Sequence, residues 1–113
     1  MKLIHNEFSL MLLPILYGNY GKIWLQIVDK KVKENFSLLK EFISKKMPRL
    51  NLMELESGYL LVVDFVNYVK DGEHLAEILR SSKIVFTSLE KYYCPKRKTT
   101  AVRIAIACEK NYF

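Results

Sequence analysis

The amino-acid sequence predicts an α+β domain in which helices pack on a small, largely antiparallel sheet. Three stretches carry this prediction. Apolar residues recur at helical spacing over residues 23–47, residues 59–66 form an apolar strand-like run, and residues 101–107 alternate between bulky apolar side chains and small or charged ones. A long helix beside strands that follow one another closely is typical of this class.

The composition limits the class of protein further. The chain has 113 residues, of which 50% are hydrophobic, and this suits one compact domain with a modest core. Lys and Arg outnumber Asp and Glu by 18 to 12, and the resulting net charge of +6 permits a nucleic-acid or anionic-membrane partner without requiring one. Cys94 and Cys108 belong to no C-x-x-C pair, so we expect reduced thiols in a cytoplasmic protein.

The sequence indicates neither a metal site nor a site for nucleotide hydrolysis. His5, His74 and the two cysteines lie far apart in the sequence and show no ligand spacing. No glycine-rich phosphate loop and no G-x-S-x-G motif occurs, and the chain has only four glycines to build such a loop. We therefore expect no bound metal and no nucleotide hydrolysis.

The first predicted element is a helix that begins after Asn6 and runs to Tyr17. The Asn6 side chain can accept a hydrogen bond from a free backbone N–H at the helix start, and Pro14 should kink the helix or cut it short. The apolar run 8–17 is far shorter than the roughly 20 residues of a membrane-spanning helix, and residues 17–20 make a poor signal-peptide cleavage site. We expect neither a membrane span nor a secretory leader.

A long amphipathic helix is predicted from residue 22 to residue 47, after a turn between Gly18 and Gly21 and before Pro48, which ends it. Only Lys31 interrupts its apolar stripe. The members of the stripe are Ile23, Trp24, Ile27, Val28, Val32, Phe36, Leu38, Leu39, Phe42, Ile43 and Met47. Most of the charged residues fall on the opposite face, which we interpret as the solvated side.

The centre of the predicted sheet is a strand over residues 59–66, which follows a shorter strand over residues 52–55. Both faces of the longer strand are apolar, so we expect it to be a central strand that is covered on each side. Gly58 marks the bend between the two strands. Asp64 is the one charge in the run, and we expect it to reach solvent at the strand end.

The rest of the chain predicts one short helix and two more strands. The helix begins at Asp71 or Gly72 and runs to Ser81. Its buried stripe is predicted to be Leu75, Ile78 and Leu79. Residues 84–87 and residues 101–107 are the third and fourth strands, so the predicted order is helix, helix, strand, strand, helix, strand, strand.

Arg103 is the candidate binding residue. On the strand over residues 101–107 it shares a face with Ala101, Ala105 and Ala107, while bulkier residues face the core. Small neighbours leave space around the planar guanidinium, which can hold a carboxylate through two parallel hydrogen bonds. The other interpretation is an ordinary surface arginine on the wet face of the sheet, and spacing alone favours it.

A second candidate surface is the basic loop that runs from Tyr92 to Lys98. Tyr92 and Tyr93 precede three consecutive cations, an arrangement that suits stacking on bases together with phosphate contacts. One basic triplet offers few phosphate contacts, so an exposed hairpin loop is the simpler interpretation. A small basic nucleic-acid-binding module is the alternative function on this account.

Four of these stretches resemble the C-terminal small domain of fold-type I pyridoxal phosphate (PLP)-dependent aminotransferases, and most of all the cystathionine β-lyase-like C–S lyase branch. Residues 6–9 resemble the family's Asn-x-Phe entry to its interdomain helix, and residues 24–48 resemble the Trp-Leu start and Met-Pro end of its long helix. Residues 57–65 are similar to its Gly-Tyr/Thr-Leu-Trp-Asp-Phe strand. Residues 102–108 are similar to its Arg-Leu-Asn-Ile-Ala-Cys strand.

The resemblance implies roles for parts of this chain. The arginine of the family's last strand binds the α-carboxylate of the substrate, so the resemblance gives that role to Arg103. It divides the chain into an interdomain-type helix and turn at residues 1–21 and a small domain at residues 22–113 that lacks the family's last helix. The chain departs from the family at residues 89–98, where a glycine-rich loop is replaced by a segment without glycine.

The resemblance also implies what the chain is missing. Members hold PLP through a catalytic lysine in a preceding large domain, and nothing in this sequence matches that domain. Ser37 and Lys40 imitate the Ser-x-x-Lys spacing of the cofactor lysine but lie within the amphipathic helix, so we reject them. We expect a fragment or remnant of an aminotransferase or C–S lyase that is inactive alone and binds no PLP by itself.

The expected partners follow from the same resemblance. They are an amino-acid substrate in the parent enzyme and either a large domain or a second copy of the chain, with no membrane partner. The sequence does not distinguish an aminotransferase from a C–S lyase, and it does not indicate which amino acid is bound.

Overall fold

The computed structural model of the chain describes residues 6–92 and 98–108. The elements in chain order are α1 (Glu7–Leu16), α2 (Asn19–Lys46), β1 (Asn51–Leu52), β2 (Leu60–Asp64), α3 (Gly72–Ser81), β3 (Thr87–Ser88), a 3-10 turn (Glu90–Tyr92) and β4 (Ala101–Ala105). The order of helices and strands is the predicted one, and the α+β fold class is confirmed.

The four strands form one sheet in the order β1-β2-β4-β3, and every neighbouring pair is antiparallel. The two longer strands, β2 and β4, lie at the centre, where Leu61 pairs with Ile104 and Val63 with Val102. The edge strands β1 and β3 have two residues each. Short edge strands leave little unpaired backbone for other chains.

The core lies between one face of this sheet and helix α2. Val32 of α2 packs with Leu61 and Val63 of β2 and with Ile106, and all four side chains are buried. Burying each such side chain contributes about 1.5–3 kcal/mol relative to leaving it exposed. The partly buried residues around this centre are Val28, Phe36, Leu39, Leu50, Leu52, Leu55, Phe65 and Ile104.

The opposite face of β2 is only partly covered, so the prediction that both faces are covered is wrong for the described residues. Leu60 is 42% exposed and Val62 is half-buried, whereas Leu61 and Val63 are 1% exposed. The cause is that the core packing of α2 involves only one face. The face that carries Leu60 and Val62 is therefore open to solvent or to a partner only at its Leu60 end.

Helix α3 begins and ends with hydrogen-bonded caps. The Asp71 carboxylate accepts a hydrogen bond from the His74 N–H at 2.8 Å, which confirms the predicted start. At the other end Lys83 has φ +57°, and the Ile84 N–H donates back to the Leu79 carbonyl at 2.9 Å. Since this cap uses residues 82–84, the third strand begins at Thr87 and not at residue 84.

Helix α1 and the start of α2 form an exposed apolar projection, which we call the N-terminal arm and define as residues 7–27. The Asn6 side chain caps α1 as predicted, by accepting from the Ser9 N–H at 2.6 Å, and α1 continues through Pro14 to end at Leu16. None of the α1 residues is buried. Gly21 lies in the first turn of α2, which begins at Asn19 and not after Gly21 as predicted, and it allows the two helices to meet closely, since a Cβ added there would collide with the Leu16 carbonyl oxygen.

The predicted apolar stripe of α2 is therefore buried along only part of its length. Val28, Val32, Phe36, Leu39 and Ile43 are buried or half-buried, as predicted. Five other members of the predicted stripe are exposed: Ile23, Trp24, Ile27, Leu38 and Phe42. No helix within residues 6–92 and 98–108 is long and apolar enough to cross a membrane.

Candidate carboxylate-binding site

Strand β4 positions Arg103 in the middle of the sheet. Arg103 is the third of five residues in the strand, and its partners are Val62 on β2 and Thr87 on β3. Paired residues of neighbouring strands share a face, so Arg103 lies on the open face together with Val62 and not on the core face. Its side chain is half-buried.

The guanidinium of Arg103 lies against Tyr92 of the 3-10 turn. The Arg103 Nη1 donates a hydrogen bond to the Tyr92 hydroxyl oxygen at 3.3 Å, and the Arg103 Cζ lies 5.6 Å from the centre of the Tyr92 ring. A cation within about 6 Å of an aromatic ring is attracted to its face. The two contacts restrain both the position and the plane of the guanidinium.

No acidic residue neutralises Arg103 within the part of the chain that the structure describes. The described ion pairs involve lysines, namely Lys33 with Asp29, Lys40 with Glu54, Lys45 with Glu41 and Lys98 with Glu73. A guanidinium has five N–H donors in a planar fork that matches a carboxylate. A half-buried cation without an acidic partner can accept an external anion at this position.

The alternation of β4 predicts open space on both sides of Arg103, and the structure shows it on one side only. Ala105 is exposed on the same strand face, and its partner Leu60 is 42% exposed, so this side of Arg103 is open. Ala101 is buried, in contrast to the predicted open position. An approaching carboxylate would therefore meet Arg103 from the Ala105 side of the strand.

Asp64 is held within the sheet and is not a free strand end. It is half-buried, and its Oδ1 accepts hydrogen bonds from the Thr100 hydroxyl and from the Val66 N–H. These bonds tie the end of β2 to the start of β4, where Asp64 pairs with Ala101. The expectation that Asp64 reaches solvent is therefore only partly correct, because its carboxylate is engaged by two donors.

The start of α3 carries the clearest electrostatic effects. The backbone N–H of His74, which donates to the Asp71 carboxylate, lowers the pKa of Asp71 below its ordinary value. The hydrogen bond between Lys98 and the Glu73 carboxylate raises the pKa of Lys98. Both groups are exposed and act as a cap and a surface ion pair, not as part of the Arg103 site.

The remaining sequence-predicted residues do not join this site. Cys108 is a half-buried free thiol, and the His74 Nδ1 accepts a hydrogen bond from the Lys70 N–H at 3.2 Å. His5 and Cys94 lie outside the described residues. Among residues 6–92 and 98–108 no cluster of three His, Cys, Asp or Glu side chains is arranged to hold a metal.

Lys40, the lysine of the Ser-x-x-Lys spacing, lies on the surface of α2. Its side chain is 59% exposed, with its Nζ 4.0 Å from a Glu54 carboxylate oxygen and 6.0 Å from the centre of the Phe36 ring.

Sequence reasoning missed two residues. The sequence places Tyr92 in a basic loop whose simpler interpretation is an exposed hairpin, and nothing in its spacing indicates that the turn brings it over Arg103. Asn35 is fully buried, and its side-chain N–H groups donate to the carbonyls of Ile106 and Cys108. The signal for Asn35 was present, because it follows Val32 by three residues on the same stripe.

No model of a known protein family matches the sequence. The chain is 25% identical over 88 residues to cystathionine β-lyase PatB of Bacillus subtilis (strain 168), which is 77% of this chain and 22% of PatB. A PLP-bound protein of Clostridium difficile 630 that is named as an aminotransferase has a TM-score of 0.78 and 29% identity, covering 91% of this chain and 26% of that one.

Cystalysin of Treponema denticola, whose crystal structure contains PLP, shares the fold at a TM-score of 0.77 and 21% identity, over 94% of this chain and 26% of cystalysin. The fold of this chain is thus that of a segment of PLP-dependent aminotransferases and C–S lyases. Within that class, the curated relative is a cystathionine β-lyase, so the resemblance predicted from sequence is confirmed. The chain spans about a quarter of the length of these relatives.

Proposed function

We propose that this chain supplies the substrate-carboxylate-binding part of a PLP-dependent aminotransferase or C–S lyase. Arg103 holds the α-carboxylate of the amino-acid substrate in this proposal. The observation that supports it most is the half-buried guanidinium of Arg103 on an open sheet face, without an acidic partner among the described residues, in a fold shared with PLP-bound enzymes.

Arg103 contributes binding and orientation. Hydrogen bonds between a guanidinium and a carboxylate contribute about 1.5–3 kcal/mol each. Two parallel bonds also fix the direction in which the carboxylate points, so the rest of the amino acid is oriented relative to the sheet. In this proposal residues 22–113 are the small domain and residues 1–21 are the helix and turn that join it to the rest of the enzyme.

The described residues do not fit PLP itself. The described lysines for which burial is assigned are all exposed except Lys31, which is half-buried on α2. PLP supplies an electron sink for carbanions when it is bound in an enzyme, and that chemistry would come from the part of the relatives that this chain does not cover. The isolated chain is therefore inactive in this proposal.

The behaviour of the isolated chain with PLP checks that statement. Adding PLP and then reducing with borohydride should leave no lysine modified in preference to the others, because the described lysines with an assigned burial are exposed, apart from the half-buried Lys31. Peptide mass mapping measures the adducts. A single, fully modified lysine would contradict the proposal that PLP is held outside this chain.

A hybrid enzyme tests the proposed function as a whole. The part of PatB that corresponds to residues 6–108 of this chain is replaced by these residues, Arg103 included, and thiol release from L-cystathionine is measured. We expect the hybrid to bind PLP and to release thiol, because the exchanged segment keeps the fold and the arginine. A hybrid that folds and binds PLP but releases no thiol would contradict the proposal. The alternative, nucleic-acid binding by loop 92–98, depends largely on residues 93–97, which lie outside the described ones.

A further inference from the structure

The chain folds back over Arg103 just after the edge strand β3. Thr87 of β3 pairs directly with Arg103, and the 3-10 turn begins three residues later at Glu90. The Tyr92 N–H donates to the Leu89 carbonyl at 2.9 Å, which closes this turn. The short distance along the chain between Thr87 and Tyr92 thus places an aromatic ring beside the third residue of β4.

Tyr92 makes two different contacts with the same guanidinium. Its ring lies 5.6 Å from the Arg103 Cζ, and its hydroxyl oxygen accepts a hydrogen bond from the Arg103 Nη1 at 3.3 Å. A ring contact restrains the guanidinium in one direction, while a hydrogen bond restrains rotation within its plane. An unrestrained arginine side chain occupies many rotamers and loses this freedom when it binds a ligand. If Tyr92 already holds the guanidinium, less conformational entropy is lost on binding.

The contact with Tyr92 leaves enough donors for a ligand. A guanidinium carries five N–H groups, and the described residues engage it through the Tyr92 hydroxyl and ring and through no carboxylate. A carboxylate needs two of these donors for a bidentate pair. Tyr92 can therefore hold the fork in place without occupying it.

We propose that Tyr92 is a positioning residue that orients the Arg103 guanidinium for an incoming amino-acid carboxylate. The inference rests on the proposed function, since it assigns Tyr92 to the same site. It predicts that the hydroxyl and the ring each contribute: Tyr92→Phe removes the hydrogen bond and keeps the ring, whereas Tyr92→Leu removes both. Carboxylate binding should weaken about threefold in the first variant and about tenfold in the second.

Nuclear magnetic resonance of the whole chain tests this. The Arg103 Nε–H signal is assigned as the one that Arg103→Lys removes, and it is followed during titration with L-alanine and, separately, with L-alaninamide, which lacks the carboxylate. We expect a shift with L-alanine alone, weaker binding in both Tyr92 variants, and no change in Tyr20→Phe, a control that alters an exposed tyrosine on α2.

A second signal does not depend on the ligand. Without amino acid, the Arg103 Nε–H signal should move in Tyr92→Phe and further in Tyr92→Leu, while the backbone amides of β2 keep their positions and show that the sheet is intact. If this signal does not move, Tyr92 does not hold the guanidinium and the inference is wrong. If both Tyr92 variants bind L-alanine as tightly as the original chain, or more tightly, the inference is also wrong.

The failure of the proposed function has a different pattern. Binding of L-alanine that survives Arg103→Lys unchanged, as seen in the backbone amides, or no response of the original chain to L-alanine, contradicts Arg103 as the carboxylate site. In that case a ligand-free shift in the Tyr92 variants would show only that the two side chains touch. Loss of binding in Arg103→Lys with unchanged binding in both Tyr92 variants overturns the inference alone.

Discussion

A single amide on the long helix α2 joins that helix to the end of the sheet. The Asn35 Nδ2 donates to the Ile106 carbonyl at 2.7 Å and to the Cys108 carbonyl at 2.8 Å, just beyond β4. Buried carbonyls of this kind cost free energy when they lack a partner. The Asn35 Oδ1 is itself buried without a partner among the described residues, which offsets part of the benefit.

Replacing Asn35 measures the net contribution of this link. Asn35→Leu has a similar size but leaves the Ile106 and Cys108 carbonyls unpaired, so it should lower the free energy of unfolding by about 2 kcal/mol. Urea denaturation followed by circular dichroism gives the value. Ser37→Ala, on the exposed part of the same helix, is the matched control and should change it by less than about 0.5 kcal/mol. Equal effects of the two changes would show that the two hydrogen bonds do not stabilise the fold.

The ionised carboxylate of Asp71 stabilises the start of helix α3. The His74 N–H lowers the pKa of Asp71 in the folded chain, so the carboxylate stabilises the fold in its ionised form. Because the folded pKa lies below the unfolded one, this stabilisation is complete above the unfolded pKa of about 3.9 and is lost as the pH falls through the folded value.

Substitution of this cap should therefore have a pH-dependent effect. Asp71→Asn keeps a side-chain acceptor but cannot ionise, so the original chain should be the more stable one at pH 7 and the difference should shrink by pH 3. Thermal unfolding at both pH values measures it. Glu77→Gln removes an exposed charge on the same helix and is the control. Its difference in stability from the original chain should not shrink between pH 7 and pH 3. If the difference in stability between the original chain and Asp71→Asn is the same at both pH values, the ionisation of Asp71 does not stabilise the fold.

The elements also show what can be predicted from sequence. The caps at Asn6 and Asp71 were predictable because they depend on local hydrogen bonds, and β2 was predictable from its apolar run. The third strand begins later than predicted because residues 82–84 form a helix cap with a positive φ at Lys83. Positive φ is typical of glycine, so a lysine at this position gives no sign of the cap.

The candidate site was predictable to a similar degree. Alternation along its own strand places Arg103 beside small residues but favours an ordinary surface arginine, and only the resemblance assigns it to carboxylate binding. Its contact with Tyr92 depends on how a turn crosses the neighbouring strand, and no local pattern in the sequence reports that. The open face of β2 was mispredicted for a related reason, since an apolar face shows what a partner could cover and not whether the partner is present.

The N-terminal arm is an apolar surface that no other described part of the chain covers. Within residues 7–27 only Glu7 and Lys22 are charged, and Phe8, Met11, Tyr17 and Tyr20 are 70–81% exposed. A helix that is apolar on all sides is typically buried in a larger structure. This chain covers about a quarter of its relatives, so the proposed function places the arm against the rest of the enzyme.

The isolated chain should therefore self-associate through the arm. Exposed apolar patches of several hundred Å² mark interaction surfaces, and removing them from water favours association. Sedimentation at high micromolar concentration should show oligomers, and Trp24→Glu should dissociate them. Val85→Glu is the control, because Val85 is 99% exposed but lies outside the arm. A monomer with no binding of a dye for apolar surfaces would count against this assignment.

The most direct test of the account is Arg103→Lys in the hybrid enzyme that carries this segment. Lysine keeps the charge and loses the planar fork, so the KM for L-cystathionine should rise about tenfold or more, while the folded fraction stays the same because Arg103 lies on the open face. Arg80→Lys, an exposed position on α3, is the matched control and should leave the KM unchanged. If Arg103→Lys instead unfolds the hybrid and leaves the KM of the surviving fraction unchanged, Arg103 is a structural residue and this segment does not bind the carboxylate.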